Sequence, residues 1–259
     1  MVDLADDPQA LIQKKDHTMD RFRIANERRS PEMQARASEC IKFLEYYENF
    51  NYDIQTNGER FVLEILARQP LTCIFDIGAN IGMWALLAHQ CLPNAKIHCF
   101  EIAKPTQETL KEQTKGLGNI IVNNFGLSDR EGEMPLKFYP LAGAASSIID
   151  FPHPIDYVLS KAPVTCGDLY MQQHGIPHID FMKMDVEGAE DRVLQGFSNA
   201  LSNRLIDVIQ FEYGRVNILT HFLLYDFYAL FRKHGYKVGK IYPNYVDFRE
   251  YSFAHEDFL

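Results

Sequence analysis

The chain has 259 residues, a formal net charge of −9, 46 % hydrophobic residues and 24 % charged ones. That balance describes a globular protein with a full core, and it excludes a broad nucleic-acid surface, because phosphate binding is driven mainly by Lys and Arg. The acidic opening "MVDLADDPQALIQKKD" lacks the basic-then-apolar order of a secretion signal, no apolar run approaches the ~18 residues of a membrane span, and Cys40, Cys73, Cys91, Cys99 and Cys166 form no CxxC pair. A cytoplasmic protein with reduced thiols is the expectation.

From Asp16 to Tyr47 the chain is rich in charge and helix formers. The pattern breaks at Ser30-Pro31, where Ser caps and Pro opens a second helix. That helix ends in "FLEYYENFNY", aromatics suited to a packed layer and to a homo-oligomer built through the N-terminal helices. Residues 1–56 therefore read as a helical extension and 57–259 as the main domain. The domain opens with the amphipathic "NGERFVLEILARQ", in which Phe61, Ile65 and Leu66 lie close to one face.

Beyond Leu71 the apolar runs "LTCIF", "AKIHCF", "NIIVNN", "HIDFMKM", "LIDVIQF" and "YKVGKIY" alternate with helical patterns. The helices are "MWALLAHQCL", "PTQETLKEQTKG", "EDRVLQGFSNAL" and "LLYDFYALFRKHG". Short apolar runs with little alternation fit strands covered on both faces, and the β-α order predicts a doubly wound, mostly parallel sheet with right-handed crossovers. Between Ser128 and Asp168 the rhythm fails, and an insertion is expected with a short strand around Leu136–Tyr139 and a Pro-rich loop.

The chemistry concentrates at "LTCIFDIGANIGMW". A glycine turn after the first strand of such a sheet marks a ligand crevice. The turn is neither GxGxxG nor a P-loop, and Asp76, two residues before Gly78, would repel a diphosphate and attract an ammonium group. The next strand ends in Glu101, placed to accept hydrogen bonds from the two hydroxyls of a ribose. Together these residues describe a site for an adenosine-containing ligand without phosphates and with a positive end, a description that S-adenosylmethionine fits.

The segments "FDIGANIGMWALLA", "HCFEIAKPTQETLKE", "NNFGLSDREGE", "SSI", "IDFMKMDVEGAEDRVLQGF" and "IQFEY" resemble, in this order and spacing, the FkbM family of S-adenosylmethionine-dependent methyltransferases. The resemblance spans roughly Asn51 to Pro243. It implies a class I methyltransferase (Rossmann-like) α/β fold, with seven strands, the last antiparallel, and helices on both faces. It also implies methyl transfer, commonly to a hydroxyl of a sugar, polyketide or other secondary metabolite. It assigns Asp76, Gly78, Ala79, Asn80 and Gly82 to the methionine part of the cofactor, Glu101 to the ribose, and Ile102 and Leu127 to the flanks of the adenine. Asp185, Glu187 and Glu212 would face the reacting methyl group, and no metal is expected. Two departures stand out: "IAKP" follows Glu101 where many members have Pro at once, and the closing strand is either supplied by "YVDFREYSF" or lacking.

Plainer readings accompany these. Asp76 also suits a helix-capping carboxylate, and Asp185 and Glu187 suit the acidic start of the helix "EGAEDRVL". His174 and His178 have a metal-ligand spacing, but Gly175 and Pro177 between them break the helix it would need. His153, between two prolines, reads as loop with a base role only if that loop covers the site. The function expected is methylation of a small hydroxylated acceptor, with neither nucleic acid nor membrane as partner. The alternatives are a dinucleotide-dependent oxidoreductase on a similar sheet and a non-catalytic binding protein that keeps the fold.

Overall fold

The computed structural model describes residues 29–143, 146–150 and 154–256. The helical pattern expected before Ser30 begins outside that range, as does His153. The chain divides into two compact units, one reaching Asn51 and the other beginning at Tyr52.

In the first unit, α1 (Pro31–Tyr47) starts as the sequence indicates: the Met33 N–H donates to Ser30 Oγ at 3.3 Å, and Pro31 occupies the first turn. Phe43 and Tyr47, one turn apart, stack at 6.4 Å, and both are exposed.

The second unit is built on five parallel strands, β1 (Cys73–Ile77), β2 (Lys96–Phe100), β3 (Ile120–Asn123), β7 (Ile179–Met184) and β8 (Ile206–Phe211), in the order β3-β2-β1-β7-β8. The connecting helices are α2 (Glu59–Leu66), α3 (Met83–Cys91), α4 (Lys104–Gln113), α5 (Gly167–His174), α6 (Glu190–Gly196), α7 (Ser198–Ser202), α8 (Asn217–Thr220) and α9 (Leu224–Lys233). Strand parity assigns them to two faces. Ile74, Phe181 and Ile97 pack with Leu63, Trp84, Leu87 and Leu110 of α2, α3 and α4. Phe75, Ile77, Met182 and Met184 pack with Tyr170, Val193 and Phe227 of α5, α6 and α9 and with Phe197 between α6 and α7. Each such fully buried side chain contributes about 1.5–3 kcal/mol. Because β1 lies between β2 and β7, the strand order reverses beside it, and a crevice opens there at the carboxyl ends.

The structure refines the expected elements in three places. The pattern "EDRVLQGFSNAL" is two short helices, because Gly196 lies so close to the Ser128 carbonyl that a Cβ would stand 2.1 Å from it, and Phe197 fills the space beside Gly167. The insertion is a second sheet, ordered β4-β6-β5, of β4 (Gly126–Leu127), β5 (Gly132–Phe138) and β6 (Val158–Thr165). β6 contains Pro163, a residue that sheets confine to edges. It is accommodated because β4 pairs only with Val164 and Thr165, which leaves the rest of that side an edge. Finally, "YKVGKIY" does not extend the parallel sheet. β9 (Gly239–Tyr242) and β10 (Tyr245–Phe248) form an antiparallel hairpin, so the residues of "YVDF" do supply an antiparallel strand, but in a ladder of their own. The seven-stranded sheet implied by the resemblance is thus five-stranded among the described residues. No helix among those residues is long and apolar enough to cross a membrane.

Candidate cofactor and active site

The crevice at the switch point is a cleft of about 750 Å3, counted to its open mouth. It forms because the chain leaves β1 through a turn that only unusual backbone can make. Gly78 has φ +82°, and a Cβ there would lie 1.8 Å from the Asp185 carbonyl oxygen, so this glycine lets the ends of β1 and β7 touch. Its N–H and that of Ala79 both donate to the Phe100 carbonyl at 3.0 Å, which ties the turn to the end of β2. Asn80 follows at φ +48°, and Gly82 at +92° starts α3.

Glu101, at the end of β2, is buried in the cleft wall. Its Oε2 accepts from the Asn80 N–H at 2.8 Å and its Oε1 from the Ala103 N–H at 2.7 Å. Burial raises its carboxyl above the ordinary range, and these two N–H groups and that of Ile102 pull it back. A carboxylate has about four lone-pair sites. The N–H groups of Asn80, Ala103 and Ile102 do not exhaust them, so acceptor capacity remains for a ribose hydroxyl. Ile102 and Leu127 line the same end of the cleft, with Gly126 and Val164 beside them.

Opposite stand the acids that follow β7. Asp185 and Glu187 line the cleft, and Glu187 is held at φ +53° before Gly188 at +94°. Such a conformation in a non-glycine residue costs about 1–3 kcal/mol and persists only where the surroundings impose it. Here Ser147, from the inserted sheet, donates its hydroxyl to the Glu187 carbonyl at 2.9 Å, while Glu190 Oε1 accepts from the N–H groups of Val186 and Gly188. Burial pushes the Glu187 carboxyl up to about 7, helped by the charges of Asp185 and Glu190 and opposed by Lys183. Burial works against the Asp185 charge too, but the Lys183 ammonium, 3.0 Å away, and a hydrogen bond from Glu212 together outweigh it and hold that carboxyl below its ordinary range. Glu212, at the exposed rim, shares a hydrogen bond with Asp185 and is shifted upward by burial and by the Asp185 charge. It is therefore the member of this pair that keeps the proton.

The cleft wall thus brings together Gly78, Asn80, Glu101, Ile102, Leu127, Asp185 and Glu187. It does not include Asp76, Ala79, Gly82 or Glu212. Asp76 shares a face of the sheet with Ile74, toward α2 and α3, and is fully buried; burial pushes its carboxyl up to about 7, with Lys183 pulling it down. Ala79 and Gly82 act on the shape of the turn, Gly82 by its close approach to Leu110.

Two carboxylate groupings have metal-like spacing. Oxygens of Asp185, Glu187 and Glu212 lie within 4.8 Å of one another. Within that group Glu212 hydrogen-bonds to Asp185, and Asp185 pairs with the Lys183 ammonium. His178, Asp180 and Asp207 meet at the opposite end of the strands. There Asp180 is engaged by Thr72 and the Cys73 N–H, and His178 pairs with Asp207 at 2.9 Å. His174 stacks on Tyr170 at 4.1 Å instead of joining His178. The sequence reading missed Lys183, Glu190 and Ser147. Lys183 carried a signal, being a lone cation inside an apolar strand with Asp185 two residues on, on the same side of the pleat.

The chain matches the model of the methyltransferase FkbM domain over residues 76–238. It belongs to the FkbM methyltransferase family. Among curated relatives it is 27 % identical over 161 residues to the hexuronic acid methyltransferase AglP of Haloferax volcanii, covering 61 % of this chain and 64 % of that protein. It is 28 % identical over 204 residues to the 31-O-demethyl-FK506 methyltransferase FkbM of Streptomyces tacrolimicus, covering 66 % and 74 % respectively. To the 2-O-methyltransferase NoeI of Sinorhizobium fredii it is 26 % identical over 150 residues, covering 53 % and 62 %. The chain therefore spans just under two thirds of the length of AglP. The family's matched region begins at Asp76 and takes in both motifs that build the cleft, the glycine turn and the acids after β7.

Proposed function

We propose that the protein is an S-adenosylmethionine-dependent O-methyltransferase acting on a hydroxyl of a small molecule such as a sugar, a polyketide or another secondary metabolite. The observation that carries this reading is one cleft at the switch point lined both by Glu101, at the end of β2, and by Asp185 and Glu187, after β7. The names of AglP and NoeI, a hexuronic acid methyltransferase and a 2-O-methyltransferase, favour a sugar hydroxyl within that range. Neither family membership nor the glycine turn favours the dinucleotide or non-catalytic alternatives.

The residues present fit the cofactor. Gly78 lets the turn after β1 close against the end of β7, which brings Asn80 and Asp185 to one cleft, and the Glu101 carboxylate beside them keeps acceptor capacity. Glu101 would hold the ribose, Ile102 and Leu127 would flank the adenine, and Gly78 and Asn80 would border the methionine part, with Asp76, Ala79 and Gly82 shaping the turn from behind. When bound, the cofactor supplies an electrophilic methyl group on a sulfonium. The protein's part is alignment, exclusion of water and removal of the acceptor's proton. Glu187 suits the last task, because its carboxyl titrates near neutral pH and lines the cleft. Asp185 stays ionised beside it, and Glu212 supports Asp185 through a shared proton.

The test is transfer of label from methyl-labelled cofactor to a panel of hydroxylated acceptors, using wild type and Glu187→Gln. General-base catalysis contributes typically about 10²–10⁴-fold. Turnover should fall by at least about a hundredfold while affinity for S-adenosylhomocysteine changes little, and the wild-type rate should rise with pH through about 7. A variant that turns over like wild type would remove Glu187 from the reaction.

A further inference from the structure

Beneath the cleft lies a buried cation, the ammonium of Lys183. Lys183 is on β7, directly beside Asp76 of β1 in the parallel register. Its side chain is 8 % exposed. The ammonium lies 3.0 Å from Asp185 Oδ2, in the cleft wall, and 3.8 Å from Asp76 Oδ1, behind it. It also stands 5.9 Å from the centre of the Trp84 ring. Neither oxygen of Asp76 has a hydrogen-bond partner among the described residues, and the residue is 0 % exposed. An unpartnered buried carboxyl is costly unless a charge compensates it. The nearby ammonium supplies that charge.

From this geometry we infer that Lys183 is a positioning residue of the active site: anchored from below by Asp76, it holds Asp185 in the cleft wall as an aimed, ionised carboxylate. The inference rests on the function proposed above. The other groups facing Asp185 are all acids. They are Glu187 and Glu190 from the turn and helix after β7, Glu212 from the end of β8, and Glu101 from the end of β2. Glu59, at the start of α2, faces Asp76 and Lys183. The sole compensating cation among these groups is Lys183. Burial works against its charge, and Asp185 and Asp76 outweigh burial and keep it protonated. Without it, every charged group facing Asp185 would be an acid, which raises that carboxyl and favours its protonated form.

Calorimetric affinity for S-adenosylhomocysteine from pH 5.5 to 8.5 tests this without needing the acceptor, since Asp185 lines the cleft and Asp76 does not. The proteins compared are wild type, Lys183→Met, Asp185→Asn and the Lys183→Met/Asp185→Asn double variant. Lys183→Met should shift the profile by adding an acid-side loss, about tenfold at pH 5.5 relative to wild type. That shift should vanish in the double variant, where Asp185 can no longer titrate. A purely structural lysine would lower thermal stability and leave the shape of the profile alone. If Lys183→Met fails to fold, Lys183→Met/Asp76→Asn removes the cation together with its enclosed anion and carries the same comparison. A profile unchanged from wild type, or a shift that persists without Asp185, overturns the inference while leaving the proposed function standing. Absence of binding by the wild type at every pH overturns the proposed function and the inference with it.

Discussion

Replacing Glu101 by Gln separates binding of the ribose from support of the turn, because the substitution keeps the shape and removes the charge. Each carboxylate oxygen of Glu101 already accepts one backbone N–H, from Asn80 at 2.8 Å and from Ala103 at 2.7 Å. An amide in the same place presents its NH2 group to one of those donors, whichever way it is turned. The buried N–H left unpaired costs about 1–3 kcal/mol. At about 2–4 °C per kcal/mol for a domain of this size, melting should fall by roughly 2–12 °C. The second effect falls on the ligand. Hydrogen bonds to a charged acceptor are worth about 1.5–3 kcal/mol, so affinity for S-adenosylhomocysteine should weaken by about tenfold to a hundredfold. Isothermal titration calorimetry with parallel scanning calorimetry measures both, and Glu108→Gln, an exposed carboxylate on α4, is the control. A dissociation constant within about twofold of wild type, accompanied by the expected loss in melting temperature, would show that Glu101 only braces the turn and that the ribose lies elsewhere.

Stability should depend on pH in a direction set by the buried acids. Asp76, Glu187 and Glu190 ionise near 7 in the native protein, against about 4 in the unfolded chain. Between those values the native state holds more protons, so stability falls as pH rises. The melting temperature of the ligand-free protein should therefore decline from pH 5 to pH 8, and a steady rise across that range would contradict the burial assigned to these groups. Trp84, the only tryptophan, is buried against Phe181 at 5.5 Å, two residues beyond Gly82 and close to the Lys183 ammonium. Its emission should change on cofactor addition with the calorimetric midpoint, and Glu101→Gln should move both midpoints together; a flat emission during saturating binding would show that the ligand does not reach the turn.

The parallel sheet was legible because its strands are short apolar runs that need cover on both faces, and the glycine turn and Glu101 were legible because few arrangements other than a ligand crevice use them. What escaped depended on contacts between distant segments. Asp76 was read as part of the methionine end of the site, and sequence alone does not show which face of the pleat it takes. The register that sets Asp76 beside Lys183 turns it toward α2 and α3. The β6 strand was hidden by Pro163, which an edge position tolerates. The hairpin of β9 and β10 was read as part of the sheet because an antiparallel pair and a parallel strand share the same local composition. The αL conformation of Glu187 has no local signature either. It is imposed in part by Ser147, forty residues earlier.

The central claim is that the cleft takes an adenosine ligand with a sulfur-bearing, positively charged end, not a dinucleotide. Calorimetric titration of the wild-type protein with S-adenosylmethionine, S-adenosylhomocysteine and NAD in one buffer tests it most directly. The account predicts saturable one-to-one binding of both sulfur compounds, and a rise in melting temperature that reaches about 2.7 kcal/mol of added stability at a hundredfold excess over the dissociation constant. NAD should give neither. Saturable binding of NAD with no heat and no melting shift from either sulfur compound would contradict it.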